Sequence, residues 1–239
     1  MRWLAFSRQG VIDAARTVYG SPVVSPARSI VYLLAASTLI GAGVTMFRRA
    51  DLGVPPYDVL MSAIDRHTQL THGQASWAFS GAMMLLAAIL GSRLKIASVT
   101  YIVITGLMVD ATYGLVGDPT SDVARVGFMV AGVFAITAGV ATVVHTTAGG
   151  GGFEMLGQVA ARRGRSPRAF RTALEISVLA AGAATGGDFG IGTVVFALTI
   201  GPLLDVVLRA LADHRIGREL RQAVGSETQA LEHLEQLVS

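Results

Sequence analysis

Two aspartates stand in stretches that otherwise carry no charge: Asp110 is the one charged residue of Ile96–Gly117, and Asp205 the one of Phe189–Leu208. An ionisable group in such surroundings is costly, and where it persists it usually faces a bundle interior, a water-filled path or a partner charge. Asp110 has no basic neighbour in sequence and is the stronger functional candidate. Asp205 precedes Arg209 by four residues, and an interfacial pair is sufficient reason for it. Asp58 and Glu154 open two short predicted helices, where an acid complements the helix dipole. Each of those helices follows a break, Pro55-Pro56 in one case and Gly149-Gly150-Gly151-Gly152 in the other. Unpaired N–H groups at Pro56–Val59 and Gly152–Leu156 present partial positive charge, which suits a small polar or anionic solute. The plainer alternative is a pair of tight turns between packed helices. The candidate substrate-binding set is therefore Pro55, Pro56, Asp58, Asp110, Gly149, Gly150, Gly151, Gly152, Glu154 and Asp205.

Other chemistry finds no footing. No nucleophile elbow, P-loop or HExxH run is present, so no enzyme and no cofactor are expected. His145 sits near the end of an apolar stretch beside Thr146 and Thr147 and reads as a packing or interface residue. His67, His72, His214 and His233 fall in predicted loops or the tail, with no metal-ligand spacing. Glu175 follows Arg171 by four and reads as a structural pair. The chain has no cysteine, which removes disulfides and thiolate metal sites.

The elements that hold these residues are apolar and long. Of 239 residues 52% are hydrophobic and 15% charged, with a mean hydropathy of +0.56, too little charge to cover a water-soluble domain of this length. The apolar residues are bunched. Ser29–Phe47 and Gly73–Ser92 have no charge, Val126–Phe153 has no ionisable group but His145, and Thr172–Gly187 has only Glu175. With the two aspartate-bearing stretches this makes six windows near the ~20 residues that cross a bilayer. The first 28 residues, with Arg2, Arg8, Arg16 and Arg28, lack an uninterrupted apolar run and read as a cytoplasmic or interfacial lead-in, not a secretory signal. The net charge of +3 comes from basic residues flanking apolar windows, so a lipid bilayer rather than nucleic acid is the expected partner.

The chain also repeats itself. Setting Gly43-Val44 on Gly139-Val140, an offset of 96, brings Tyr57-Asp58 onto Phe153-Glu154, Leu60 onto Leu156 and Arg66 onto Arg162. After a one-residue gap, Ile96 and Val99 match Ile191 and Val194, Gly106 matches Gly201 and Asp110 matches Asp205. Each unit reads as a long span, a break, a short helix, a basic loop and two more spans. Consecutive prolines or four glycines do not sit inside a regular helix. The short helices, Tyr57–Arg66 and Phe153–Arg163, are about 15 Å long, half the hydrocarbon thickness. Leu-Gly-Val-Pro-Pro-Tyr-Asp-Val-Leu-Met (52–61) and Gly-Ile-Gly-Thr-Val-Val-Phe-Ala-Leu-Thr-Ile-Gly-Pro-Leu-Leu-Asp (190–205) resemble the two signatures of the YczE/YitT group of bacterial membrane proteins. The resemblance spans roughly residues 28–210 and implies a plasma-membrane protein of several spans, from a group without an agreed activity. The four glycines depart from the Gly-Pro-Arg-Asp-like run of that group, which leaves no charged group at this turn.

Two topologies fit these windows: six spans with re-entrant short helices and inverted units, or eight spans with parallel units. Counting Lys and Arg gives 15 inside and four outside in either, with both termini cytoplasmic. Short helices carrying Asp58, Asp65 or Glu154 are poor spans, which favours six. The expected architecture is an all-α polytopic helix bundle: an N-terminal segment (1–27), membrane repeat one (28–117), a linker (118–122), membrane repeat two (123–212) and an amphipathic C-terminal helix (213–239). Leu231, Leu234 and Val238 share one face of that tail, which suits a membrane surface, a partner chain or a second copy, and a solvated cytoplasmic helix equally well. The leading expectation is a small secondary transporter or channel of the plasma membrane; the alternative is a non-transporting scaffold or assembly partner. A polar cavity lined by Pro55, Pro56, Gly149–Gly152 and Asp110 is what the first requires.

Overall fold

The structure, a computed structural model, describes residues 26–94, 96–144, 151–208 and 210. The lead-in over 1–25, His145, Gly149, Gly150 and the tail over 211–239 lie outside the described residues. The described residues form eight helices and no strand: α1 (Pro26–Ala50), α2 (Pro56–His67), α3 (His72–Ile89), α4 (Ile96–Leu115), α5 (Asp122–Val144), α6 (Gly152–Arg162), α7 (Pro167–Ala184) and α8 (Ile191–Leu208). The helix starts pair off at fixed separations: α5 begins 96 residues after α1, α6 96 after α2, α7 95 after α3 and α8 95 after α4.

Four helices are long and apolar enough to cross a membrane, with mean hydropathies of 1.9 (α1), 1.3 (α4), 2.1 (α5) and 2.1 (α8). The other two 18-residue helices are more polar: α3 opens on His72 and Gln74, and α7 carries Arg168, Arg171 and Glu175. Surface and interior agree with lipid as the solvent. Ile89, Val123, Leu198 and Val206 are 73%, 83%, 71% and 63% exposed, while Ser37, Thr45, Thr137 and Thr193 are buried. A water-soluble protein reverses that pattern, so the chain is a membrane protein of the helical type.

Small residues set how the long helices meet. Gly43 lies against Gly132 and Ile136, and Gly139 against Ala36 and Ile40, so α1 and α5 run antiparallel at backbone contact. Close approach through glycine replaces the hydrophobic drive that lipid removes. Between α1 and α4 the hydroxyls of Ser37 and Thr105 are 3.0 Å apart and those of Thr45 and Thr112 2.9 Å, and the two helices run parallel. Trp77 on α3 donates to the Ile102 and Val103 carbonyls of α4 at 3.1 and 3.2 Å while Gly73 faces Gly106, an antiparallel pair. Phe47 and Phe196 close the core edge to face, 5.6 Å between centroids.

The first break is held by pairing, as irregular backbone away from water must be. Asp51 and Gly53 turn the chain at the end of α1 with φ of 53° and 100°. Behind them Leu52 accepts from the Gly192 N–H at 2.7 Å, and the Val54 N–H donates to the Asp188 carbonyl at 3.0 Å. The first break is thereby laced to the α7–α8 junction.

Candidate functional site

Proline explains how α2 starts. Pro55 stands before the helix with φ −51° and ψ 150°, and its carbonyl accepts the Asp58 and Val59 N–H groups at 2.8 and 3.1 Å. Pro56 opens the helix, where its missing N–H costs nothing. The Tyr57 hydroxyl reaches Ser76 Oγ at 3.0 Å and Ser80 Oγ at 2.9 Å, so α2 begins beside the middle of α3. Its last turn returns to the end of α1, where Asp65 meets Arg48. The helix α6 behaves alike at the other end: Gly152 abuts Ser80 and Met83, and Arg162 reaches the Gly91 carbonyl past the end of α3. The short helices thus start at mid-height and finish at opposite ends of the body.

Their starts meet. Tyr57 and Phe153, each the second residue of its helix, stack edge to face at 5.7 Å, and Phe79 lies 5.7 Å from Tyr57 and 6.0 Å from Phe153. Aromatic rings pack at this meeting point, with the Tyr57 hydroxyl turned to Ser76 and Ser80. A cavity of about 460 Å³ opens between α5 and α8, lined by apolar residues such as Met129, Phe134, Leu198 and Val206.

The expected residues separate accordingly. Pro55, Pro56, Gly151 and Gly152 belong to the two helix starts. Glu154 is the third residue of α6, but its side chain lies outside the described residues. Asp110 is not brought to the centre. Its carboxylate accepts from the Thr71 hydroxyl at 2.5 Å and the Gly73 N–H at 2.9 Å, capping α3 from a neighbouring helix. This completes a cap in which Thr71 and Gln74 already satisfy each other's backbone. Asp205 is exposed on α8, and the side chain of its expected partner Arg209 lies outside the described residues. The Arg171–Glu175 pair forms at 2.8 Å.

Asp58 joins a constellation that its sequence position alone did not suggest. His72, with a side chain 1% exposed, is held between two aspartates: Nε2 lies 3.0 Å from Asp58 Oδ1 and Nδ1 3.1 Å from Asp65 Oδ2. Arg48 Nη2 reaches the same Asp65 oxygen at 2.7 Å. Asp58, Asp65 and His72 are spaced by seven and seven, which puts both acids on one face of α2 two turns apart. That spacing was the available signal, and a predicted loop around residue 72 concealed it. Since each ring nitrogen is already engaged by a carboxylate, the cluster is no metal cage, and among the described residues no group of three acids or histidines could hold a metal.

Arginines bind the two ends of the body. Arg66 donates to the Gly186 carbonyl at 2.6 Å and pairs with Asp188, while Arg162 donates to the Gly91 carbonyl at 3.1 Å. Arg162 follows Arg66 by 96 residues and Gly186 follows Gly91 by 95, the same separations as the helix starts. Arg49 and Arg125 meet Asp118 and Asp51 at 2.7 and 2.8 Å. Among the described residues, the arginines at the Arg48 end, Arg48, Arg49, Arg66 and Arg125, each have an aspartate partner.

A family model described as a family of unknown function (DUF6198) matches residues 27–209, and the chain belongs to that family. An uncharacterised protein of Haemophilus influenzae is 31% identical over 187 residues, covering 77% of this chain and 85% of the relative. No solved structure matches. The comparisons support this family and give nothing for the YczE/YitT resemblance of residues 52–61 and 190–205.

Proposed function

Starting from a family of unknown function, we propose that the chain is a six-span protein of the plasma membrane, built from two inverted copies of one unit, that carries a small polar or anionic solute across the bilayer. The observation that carries this reading is the meeting of two half-length helices, N-terminus towards N-terminus, at Tyr57 and Phe153. Opposed half-helices at mid-height are a solution that transporters use to offer backbone N–H groups to a solute without stranding them in lipid. The duplication is supported by the helix starts at separations of 96 and 95, by the antiparallel α1–α5 contact, and by the paired arginine clasps. In this reading α3 and α7 complete six spans, and α2 and α6 re-enter.

Charge supports both termini being cytoplasmic. The four arginines at the Arg48 end are matched by aspartates, while Arg93 and the arginines of 162–171 lie at the end bearing the Gly91 clasp. Placing the matched end outside satisfies the positive-inside bias. The closed aromatic centre requires the two copies to part at Tyr57 and Phe153 for a solute to pass. The test is flux into proteoliposomes, using a panel of labelled organic and inorganic anions and neutral polar solutes. Uptake above protein-free vesicles that Tyr57→Ala or Phe153→Ala changes at least tenfold supports the reading.

The packed centre itself favours a second reading, a non-transporting scaffold or assembly partner, with the apolar hollow between α5 and α8 as contact surface. No flux for any solute in the panel, from protein verified as folded, decides for it.

A further inference from the structure

We propose that the Arg48–Asp65–His72–Asp58 chain is a proton-binding site that holds one exchangeable proton and, through it, clamps the half-helix α2 onto α1 and α3. The site's proton count is the same whether the protein carries a solute or acts as a scaffold.

An ionised carboxylate only accepts, and a neutral imidazole has one donor nitrogen and one acceptor nitrogen. His72 nevertheless has a carboxylate oxygen at both nitrogens, at 3.0 and 3.1 Å. Both contacts are satisfied only when the group carries one proton more than a neutral ring and two carboxylates. That proton sits on the ring as imidazolium, or on one carboxyl that donates to the ring. With it the cluster is electrically balanced: Arg48 and the proton offset Asp58 and Asp65. Without it, an acceptor nitrogen faces a carboxylate inside a low-dielectric body and one negative charge is uncompensated, a costly state.

Among the described residues, the charged and hydroxyl groups beside the cluster are engaged with other partners. From α1 the charged group facing the cluster is Arg48, and its contact goes to Asp65. From α4 it is Asp110, whose oxygens are taken by Thr71 and Gly73 on either side of His72. Arg66, next to Asp65, turns away to Asp188 and Gly186. Tyr57, next to Asp58, directs its hydroxyl to Ser76 and Ser80. Asp58 and Asp65 side chains are 11% and 15% exposed against 1% for His72, so the aspartates are the route by which the proton enters and leaves.

The site exists once. At the matching positions the second copy has Val144, Glu154, Ala161 and Pro167, three of which cannot titrate. Protonation therefore acts on α2 and not on α6, and gives a pseudo-symmetric body one proton-sensitive end.

The experiment uses the full chain in nanodiscs with ¹⁵N-labelled histidine, with His72→Gln identifying the His72 signals among the five histidines. The expected result below neutral pH is either two protonated ring nitrogens at His72, or a neutral ring whose acceptor nitrogen is strongly hydrogen-bonded to a carboxylic acid. Raising the pH converts it in a single-proton step. Asp58→Asn, whose amide donates to a neutral ring, abolishes that step in the range where the parent chain shows it. A neutral ring in the ordinary single-donor state throughout the pH range in which the protein stays folded overturns the proposal, as does an Asp58→Asn titration identical to that of the parent chain. If either variant fails to fold, the remaining one supplies assignment or comparison, and the parent spectrum still decides the proton count.

Discussion

At the residue scale, Asp110 shows how a charge buried in an apolar stretch can be structural. It caps α3 from outside, and the Thr71 hydroxyl and Gly73 N–H use its oxygens. Asp110→Ala should lower stability by about 1 kcal/mol, the typical worth of a helix cap, seen as a lower Tm in detergent, and it should leave the His72 titration in place. A loss of that titration would instead make Asp110 part of the proton site. The sequence made the cost of Asp110 visible but not its partners, because Thr71 and Gly73 lie 39 and 37 residues away and a cap between helices leaves no local signature. His72 is the converse case. Its spacing from Asp58 and Asp65 was in plain view, yet the pattern acquires chemistry only when α2 and α3 fold back on each other.

At the scale of elements, the breaks were the most legible feature, since neither Pro-Pro nor four glycines can continue a helix. Their consequences, two short helices of 12 and 11 residues, follow directly. What faces what did not follow, because a helix of Ala, Gly, Leu and Val is apolar all round and its sequence has no preferred side. Glycine contacts supply that missing direction. A Cβ on Gly43 would lie 2.9 Å from the Gly132 carbonyl, and one on Gly139 2.8 Å from that of Ala36. Backbone cannot step aside as a side chain can, so Gly43→Ala and Gly139→Ala should each cost about 1–3 kcal/mol through overpacking. Gly81→Ala and Gly114→Ala, where a Cβ meets nothing within 4 Å, are the controls. They should be neutral, or stabilising by up to about 1 kcal/mol from helix propensity. Thermal melts of the four variants in one detergent compare them directly, and equal losses in all four would remove the α1–α5 contact as the cause.

At the scale of the whole molecule, membrane character was readable from composition, whereas the number of crossings was not. Counting Lys and Arg returned 15 and four for six spans and for eight, because exchanging Arg93 and Lys95 for Arg66 and Arg125 leaves the totals unchanged. The cysteine-free chain makes the decision simple. Gln69→Cys and Leu94→Cys, both at exposed positions, should be labelled by an impermeant maleimide from the outside and the inside of intact cells respectively. Eight spans reverse that assignment.

The clasps also set a timetable. Arg66 leaves the ribosome 120 residues ahead of the carbonyl that receives it. At a synthesis rate of roughly 5–20 residues per second that is an interval of about 6–24 s. Gly91, by contrast, is already in place when Arg162 emerges, so the second clasp can close on arrival while the first waits for α7 to be finished. A nascent chain stopped short of α7 should therefore leave the Arg66 end of α2 unclasped and open to membrane quality-control proteases, and one carried past Asp188 should be protected. The last quarter of the chain acts as the lock on an end of the molecule laid down near its beginning.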